Sequence, residues 1–209
     1  MVRLPHSFLP LLLIAASAAS AQPFVPGEML AIFSAGSPGR AAVEHALRST
    51  PPEMAALDPV VASLEAGAGV PLRAVRISSG NWVLMSVDSR RLTERVAGQL
   101  RARARVEAVE VLPRERMPAV QVQFSPGSAE SEIVSRTITG GPAKPLAGLV
   151  QQIAAALELP LKGEARENRR LDLEIDYLAL TPIVVERLKT LPGIESVQLN
   201  YRVGFRSAP

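Results

Sequence analysis

The stretch Asn81–Arg114, NWVLMSVDSRRLTERVAGQLRARARVEAVEVLPR, lies over Arg169–Arg202, RRLDLEIDYLALTPIVVERLKTLPGIESVQLNYR, at one constant offset and without a gap. Asp88, Leu92, Thr93, Val96, Leu100, Glu107, Val109 and Arg114 fall on Asp176, Leu180, Thr181, Val184, Leu188, Glu195, Val197 and Arg202. Between them Val83 matches Leu171, Met85 matches Leu173, Val87 matches Ile175 and Val106 matches Ile194. Upstream, Phe33-Ser34-Ala35-Gly36-Ser37 matches Phe124-Ser125-Pro126-Gly127-Ser128 at a slightly larger offset, as a short loop insertion would produce. Two anchors in the same order mark an internal repeat, so the chain reads as two copies of one unit.

Each copy has the same rhythm. Glu28 to Phe33 and Val120 to Phe124 read as short strands ending at Ser-x-Gly. Helical periodicity follows, with Met54, Leu57, Val61 and Leu64 on one face, and Leu146, Leu149, Val150, Ile153 and Leu157 on another. Leu72 to Ile77, a turn at Ser78-Ser79-Gly80-Asn81 and Trp82 to Val87 read as a hairpin. Lys162 to Arg166, a polar turn at Glu167-Asn168 and Arg170 to Asp176 read as its counterpart. Leu92, Val96 and Leu100 then stack along a helix, as do Leu180, Val184 and Leu188, and a last strand closes each unit: Val106 to Leu112 and Ile194 to Val203. The order β-α-β-β-α-β predicts an α+β chain of two tandem ferredoxin-like units, antiparallel sheets with helices on one face. Residues 22–117 form the first unit and residues 118–209 the second with a C-terminal tail; only Pro113 to Pro118 joins them, which favours a fixed pair.

Residues 1–21 read as a signal peptide. Arg3 supplies the positive start, Phe8 to Ala19 a short apolar run, and Ala19-Ser20-Ala21 a small-x-small cleavage site before Gln22. The apolar run is too short to span a bilayer, so the mature protein is expected to be exported, periplasmic or secreted, with no membrane anchor. The chain of 209 residues has no cysteine, which excludes disulfides, thiolate metal sites and thiol nucleophiles. Its net charge is +3, or +2 without Arg3, which is no electrostatic footprint for nucleic acid. The run Arg90, Arg91, Arg95, Arg101, Arg103 and Arg105 is broken by Glu94, followed by Glu107 and Glu110, and has no aromatic residues between its members. It reads as a solvated helix face and the turn after it.

No catalytic constellation stands out, and no enzyme, metal site or cofactor is expected. His45 is the sole histidine after Gln22 and lies beside Glu44 on a helix; no Gly-x-Ser-x-Gly elbow exists. Gly140-Gly141-Pro142 lacks the Lys-Ser/Thr of a phosphate loop. Period-2 alternation directs Val120, Val122, Phe124, Leu171, Leu173, Ile175, Val197, Leu199 and Tyr201 toward the helices of the second unit. It directs Gln121, Gln123, Asp172, Glu174, Asp176, Ser196, Gln198 and Asn200 away from them. The acidic strand is the one place where a hard cation or an acid/base pair would find carboxylates; a single strand with no converging ligand reads instead as the wet side of a sheet. In the first unit the outward face carries Trp82, Leu84, Ser86 and Asp88, so something is expected to cover Trp82.

Leu191-Pro192-Gly193-Ile194-Glu195-Ser196-Val197-Gln198-Leu199-Asn200-Tyr201-Arg202 resembles the closing strand of the propeptide of secreted subtilisin-like serine proteases, with Leu199 where that family usually has proline. Val25-Pro26-Gly27-Glu28 before an apolar strand is similar to the start of the same prodomain, and Val106-Glu107-Ala108-Val109-Glu110 is a looser copy of its end. The protease's own Asp, His and Ser motifs are absent, so the resemblance implies a stand-alone tandem prodomain acting in trans. Its partner would be a subtilisin-like serine protease, inhibited or assisted in folding. Such prodomains lay the open sheet face on two protease helices and thread their tail through the substrate cleft. The residues implied are Asp172, Glu174, Gln198 and Asn200 on the face, and Val203, Gly204, Phe205 and Arg206 in the tail. Trp82 is the contact expected if the chain is instead a scaffolding module that kept the fold without a protease partner.

Overall fold

The computed structural model describes residues 24–113 and 118–201. The architecture is α+β. The first sheet holds β1 (Phe24–Phe33), β2 (Leu72–Ile77), β3 (Val83–Val87) and β8 (Ile194–Tyr201), in the order β2-β3-β1-β8. The second holds β4 (Val106–Leu112), β5 (Ala119–Phe124), β6 (Leu161–Arg166) and β7 (Arg170–Ile175), in the order β4-β5-β7-β6. All six pairings are antiparallel. The described helices are α1 (Pro38–Ala46), α2 (Asp58–Ala68), α3 (Ser89–Arg101), α4 (Ala129–Ile138), α5 (Ala143–Leu157) and α6 (Tyr177–Lys189). Each copy thus has two helices between its first two strands where apolar periodicity indicates one; α1, which carries Glu44 and His45, and α4 are short and lack an apolar stripe.

The identities of the repeat are the residues that start its elements. Ser37 and Ser128 cap α1 and α4, their side chains accepting from the Arg40 and Ser131 amides at 3.1 Å each. Asp88 and Asp176 cap α3 and α6, accepting from the amides of Arg91 and Ala179. The Asp88 and Asp176 amides in turn donate to the carbonyls of Pro71 and Pro160, both at 2.9 Å. Asn168 and Arg169 both have positive φ, the pattern of a tight I′ turn joining β6 to β7.

The strand partition departs from self-closing copies. The last strand of each copy leaves its own half: β8 lies beside β1, with Leu30 opposite Gln198, and β4 lies beside β5, with Glu110 opposite Gln121. The preceding helices travel with them. α6 packs on β1, β8 and α2, whereas α3 packs on β4 and β5. The physical cause lies in the connection Pro113–Pro118. With so short a link between them, β4 and β5 form a local hairpin at little loop-closure cost, Leu112 opposite Ala119. Pairing β4 with β1 instead would leave β5 to begin a separate sheet. One continuous cluster of buried side chains, from Met29 and Met85 to Leu171 and Leu188, runs through both halves.

Because the chain lacks cysteine, the exchange has a direct test. A Leu30→Cys/Gln198→Cys pair is expected to oxidise within one chain, since directly opposed residues have Cβ atoms about 4.5–5.5 Å apart. Leu30→Cys/Glu110→Cys, the equivalent pair in a self-closed first half, is expected to stay reduced; mass spectrometry after mild oxidation distinguishes them.

Candidate docking face of the first sheet

Met29, Ala31, Val83, Met85, Val87 and Val197 point into the core, so their neighbours along the same strands face the other side of the first sheet. The register arranges those neighbours in rows. The first row is Arg73, Ser86, Glu28 and Asn200: Arg73 pairs with Ser86 and Ser86 with Glu28. Arg73 Nε donates to Ser86 Oγ at 2.9 Å, and Asn200 Nδ2 donates to Glu28 Oε2 at 2.7 Å. The second row is Arg76, Leu84, Leu30 and Gln198. Beyond it stand Trp82 and Ile32, with Ser196 opposite Ile32. The face therefore has an apolar centre (Leu30, Ile32, Trp82 and Leu84) between a polar end row and two arginines on the β2 edge.

Leu84 is buried; Leu30, Ile32 and Trp82 are half-buried. The turn beside Trp82 supplies part of that cover: a Cβ on Gly80 would stand 3.7 Å from the Trp82 ring. β8 is the edge strand opposite β2, and the Asn200–Glu28 bond fastens its far end to β1.

The residues singled out in the sequence divide between the two sheets. Trp82, Gln198 and Asn200 share the open face of the first sheet; Asp172 and Glu174 are on the second. Ser196, Gln198 and Asn200 were assigned to the open face of the second unit; the exchange of β8 moves them to the first, because β1 and not β5 is their neighbour. Asp172 is also not on a wet surface. It is 5% exposed, accepting from Gln121 Nε2 at 2.8 Å and from Arg166 Nε at 3.0 Å. That bond holds the Arg166 guanidinium above its ordinary pKa. Arg166 also reaches Glu164 at 2.7 Å, and Lys162 pairs with Asp176 at 3.1 Å. Glu174 is exposed and also engaged. The second face thus satisfies its own charges. Val203, Gly204, Phe205 and Arg206 lie outside the described residues. Leu30, Ile32, Arg73, Arg76 and Glu28 escaped the sequence reading; alternation along Glu28 to Phe33 was the signal that could have found them.

Where the halves meet, side chains from both bind the backbone at the end of α2. Arg95 Nη2 donates to the Gly69 carbonyl at 2.8 Å, and Arg187 Nη1 donates to the Ala68 carbonyl at 3.1 Å. Gly69 has φ +74°, a left-handed conformation that favours glycine, and a Cβ there would push the Arg187 guanidinium aside. Arg91 forks onto Glu65 at 2.6 and 3.0 Å, and the Leu72 amide donates to the same carboxylate. Burial alone would raise the Glu65 pKa, but the bonds from Arg91 and Leu72 and the charges of Arg91 and Arg95 outweigh it, leaving the group below the ordinary carboxylate range.

At the start of α6, Thr181 Oγ1 accepts from the Gly27 amide at 2.7 Å, and the Tyr177 ring lies against Gly27, whose φ is +83°. Tyr177 is 4% exposed, and its hydroxyl has no hydrogen-bond partner among the described residues. Burial, with a smaller contribution from the Asp88 charge, raises its pKa to about 12, so the phenol remains protonated.

Among the described residues no helix is long and apolar enough to cross a membrane, and no group of three or more His, Asp or Glu is placed to hold a metal ion. No protein-family model, no curated protein and no solved structure matches the chain.

Two outcomes follow from this geometry. Asn200→Ala is expected to lower stability by about 1–2 kcal/mol, measured by urea denaturation, because Glu28 loses its donor. For Glu65, a carboxyl whose folded pKa is depressed stabilises the fold above its unfolded value near 4.3, and that contribution fades as pH falls through the folded value. The stability advantage of wild type over Glu65→Gln, full at neutral pH, is therefore expected to shrink below about pH 4.3.

Proposed function

We propose that the chain is an exported, stand-alone prodomain-like protein that inhibits a subtilisin-like serine protease, or assists its folding, in trans. In this reading each sheet with its helices is a ferredoxin-like unit, closed by the helix and strand of the other copy. The carrying observation is the open face of the first sheet. Opposite the face that carries Met29, Met85 and Val197 into the core, it has an apolar centre of Leu30, Ile32, Trp82 and Leu84, and at its edge the prodomain-like strand β8. A face of this kind suits docking on a protein surface, where a buried aromatic anchor supplies a large share of the affinity. The Glu28–Asn200 bond holds the end of β8, from which a tail would enter a cleft in extended form.

The self-paired charges of the second sheet argue for the first as the contact. Asp172 is already bonded to Gln121 and Arg166. Freeing it for a partner would leave a buried carboxylate to be satisfied anew, at a cost of several kcal/mol. Arg73 and Arg76 lie beside the apolar rows without an ion pair among the described residues, which favours a protease surface bearing carboxylates next to its apolar contact.

The test is inhibition of subtilisin by the chain from Gln22 onward, measured as hydrolysis of a chromogenic peptide, together with recovery of activity when denatured protease refolds in its presence. Trp82→Ala is expected to weaken the effect by about tenfold or more, and deletion of residues 203–209 to weaken inhibition more than refolding. A wild-type chain that alters neither activity nor refolding of subtilisin-like proteases would overturn the reading and leave the scaffolding role.

A further inference from the structure

At the end of the first sheet where both exchanged arms begin, a cleft of about 160 Å³ is lined by Pro26, Gly27, Glu28, Arg73, Ser86, Val87, Ser89 and Tyr177. It lies beside the polar row of the open face and draws on both halves: Ser89 opens α3, and Tyr177 opens α6. We propose that this cleft is a binding site for an oxyanion group, a carboxylate or a phosphate, held by the Arg73 guanidinium and the hydroxyls of Tyr177 and Ser86. The inference rests on this cleft alone and stands whether or not the partner is a protease.

Arg73, Ser86 and Tyr177 bring side-chain donors to the cleft. Tyr177 Oη is buried and unpartnered, its ring is held over Gly27, and the neighbouring Thr181–Gly27 bond fixes the first turn of α6. Tyr177 lines the cleft, and its buried hydroxyl, with no partner among the described residues, has a proton to give there. Ser86, 7% exposed, accepts from Arg73 Nε, which leaves its own proton to give. Arg73 forms no ion pair among the described residues, and its two terminal amino groups keep the fork geometry that grips oxyanions. The α3 N-terminus at Ser89 adds the positive end of a thirteen-residue helix. Two carboxylates act against an anion: Glu28, which lines the cleft and already accepts from Asn200, and Asp88, the cap of α3, which is engaged by the Arg91 amide. They restrict the site to ligands that bring their oxygens to the Arg73 side.

The test uses the chain from Gln22, titrated separately with acetate and with inorganic phosphate while the Arg73 side chain and the Tyr177 ring are followed by NMR. Saturable shifts at both residues are expected, accompanied by a rise in melting temperature because the ligand joins the two arms to one sheet. The stronger of the two probes identifies the anion class. Tyr177→Phe keeps the ring and its packing and is expected to lose about tenfold or more in affinity. Arg73→Gln is expected to lose at least as much, with Ser86→Ala as a third variant should Arg73→Gln fold poorly. Unchanged affinity in Tyr177→Phe, or the absence of saturable shifts with either anion, overturns the proposal.

Discussion

The structure depends on a reciprocal exchange: each half gives its last helix and strand to the sheet of the other. Leu180, Val184 and Leu188 of α6 and Val197 of β8 are all buried with the first sheet, at roughly 1.5–3 kcal/mol for each side chain removed from water. α3 and β4 serve the second sheet in the same way. Neither sheet has a complete core or a fourth strand without the opposite half, so the two copies form one cooperative body. The backbone bonds of Arg95 and Arg187 at the end of α2, and the Thr181–Gly27 bond, lie where the exchanged arms meet the first sheet.

Exchange also decides which residues share a surface. Pairing of β8 with β1 places Gln198 and Asn200 next to Leu30 and Glu28 rather than next to the acidic strand β7. The two open faces, though descended from one repeat, have become opposites. In the second, Arg166 joins Asp172 and Glu164, and Lys162 joins Asp176. In the first, the corresponding strands bring Leu84 and Trp82 beside Arg73 and Arg76. Core positions are held alike in both copies by packing density, whereas outward positions are constrained only by solvent and partners, and there the copies differ.

Much of the local structure was legible. Identity of Asp88 with Asp176 and of Ser37 with Ser128 was visible as part of the repeat, whereas the capping role of all four emerged only from the structure. Leu92, Val96 and Leu100 declared their helix by spacing alone. The short helices α1 and α4 did not, since one turn more or less of apolar periodicity is too weak a signal beside proline, glycine and serine. Asp172 was misplaced for a different reason: alternation places a residue on a face but is silent about the Gln121 and Arg166 side chains that close over it.

By itself the sequence determined the repeat, the order of the strands along the chain, most of the inward faces and the absence of cysteine chemistry, all of which are properties of neighbours along the chain. Which strand lies beside which is not such a property. The two copies present nearly interchangeable last strands to nearly interchangeable sheets, so hydrophobic pattern cannot choose between self-closure and exchange. The tertiary structure made that choice through the short Pro113–Pro118 connection, which pairs β4 with β5 and leaves β1 to β8. With that choice came the apolar face, the held end of β8 and the cleft over which Tyr177 presides.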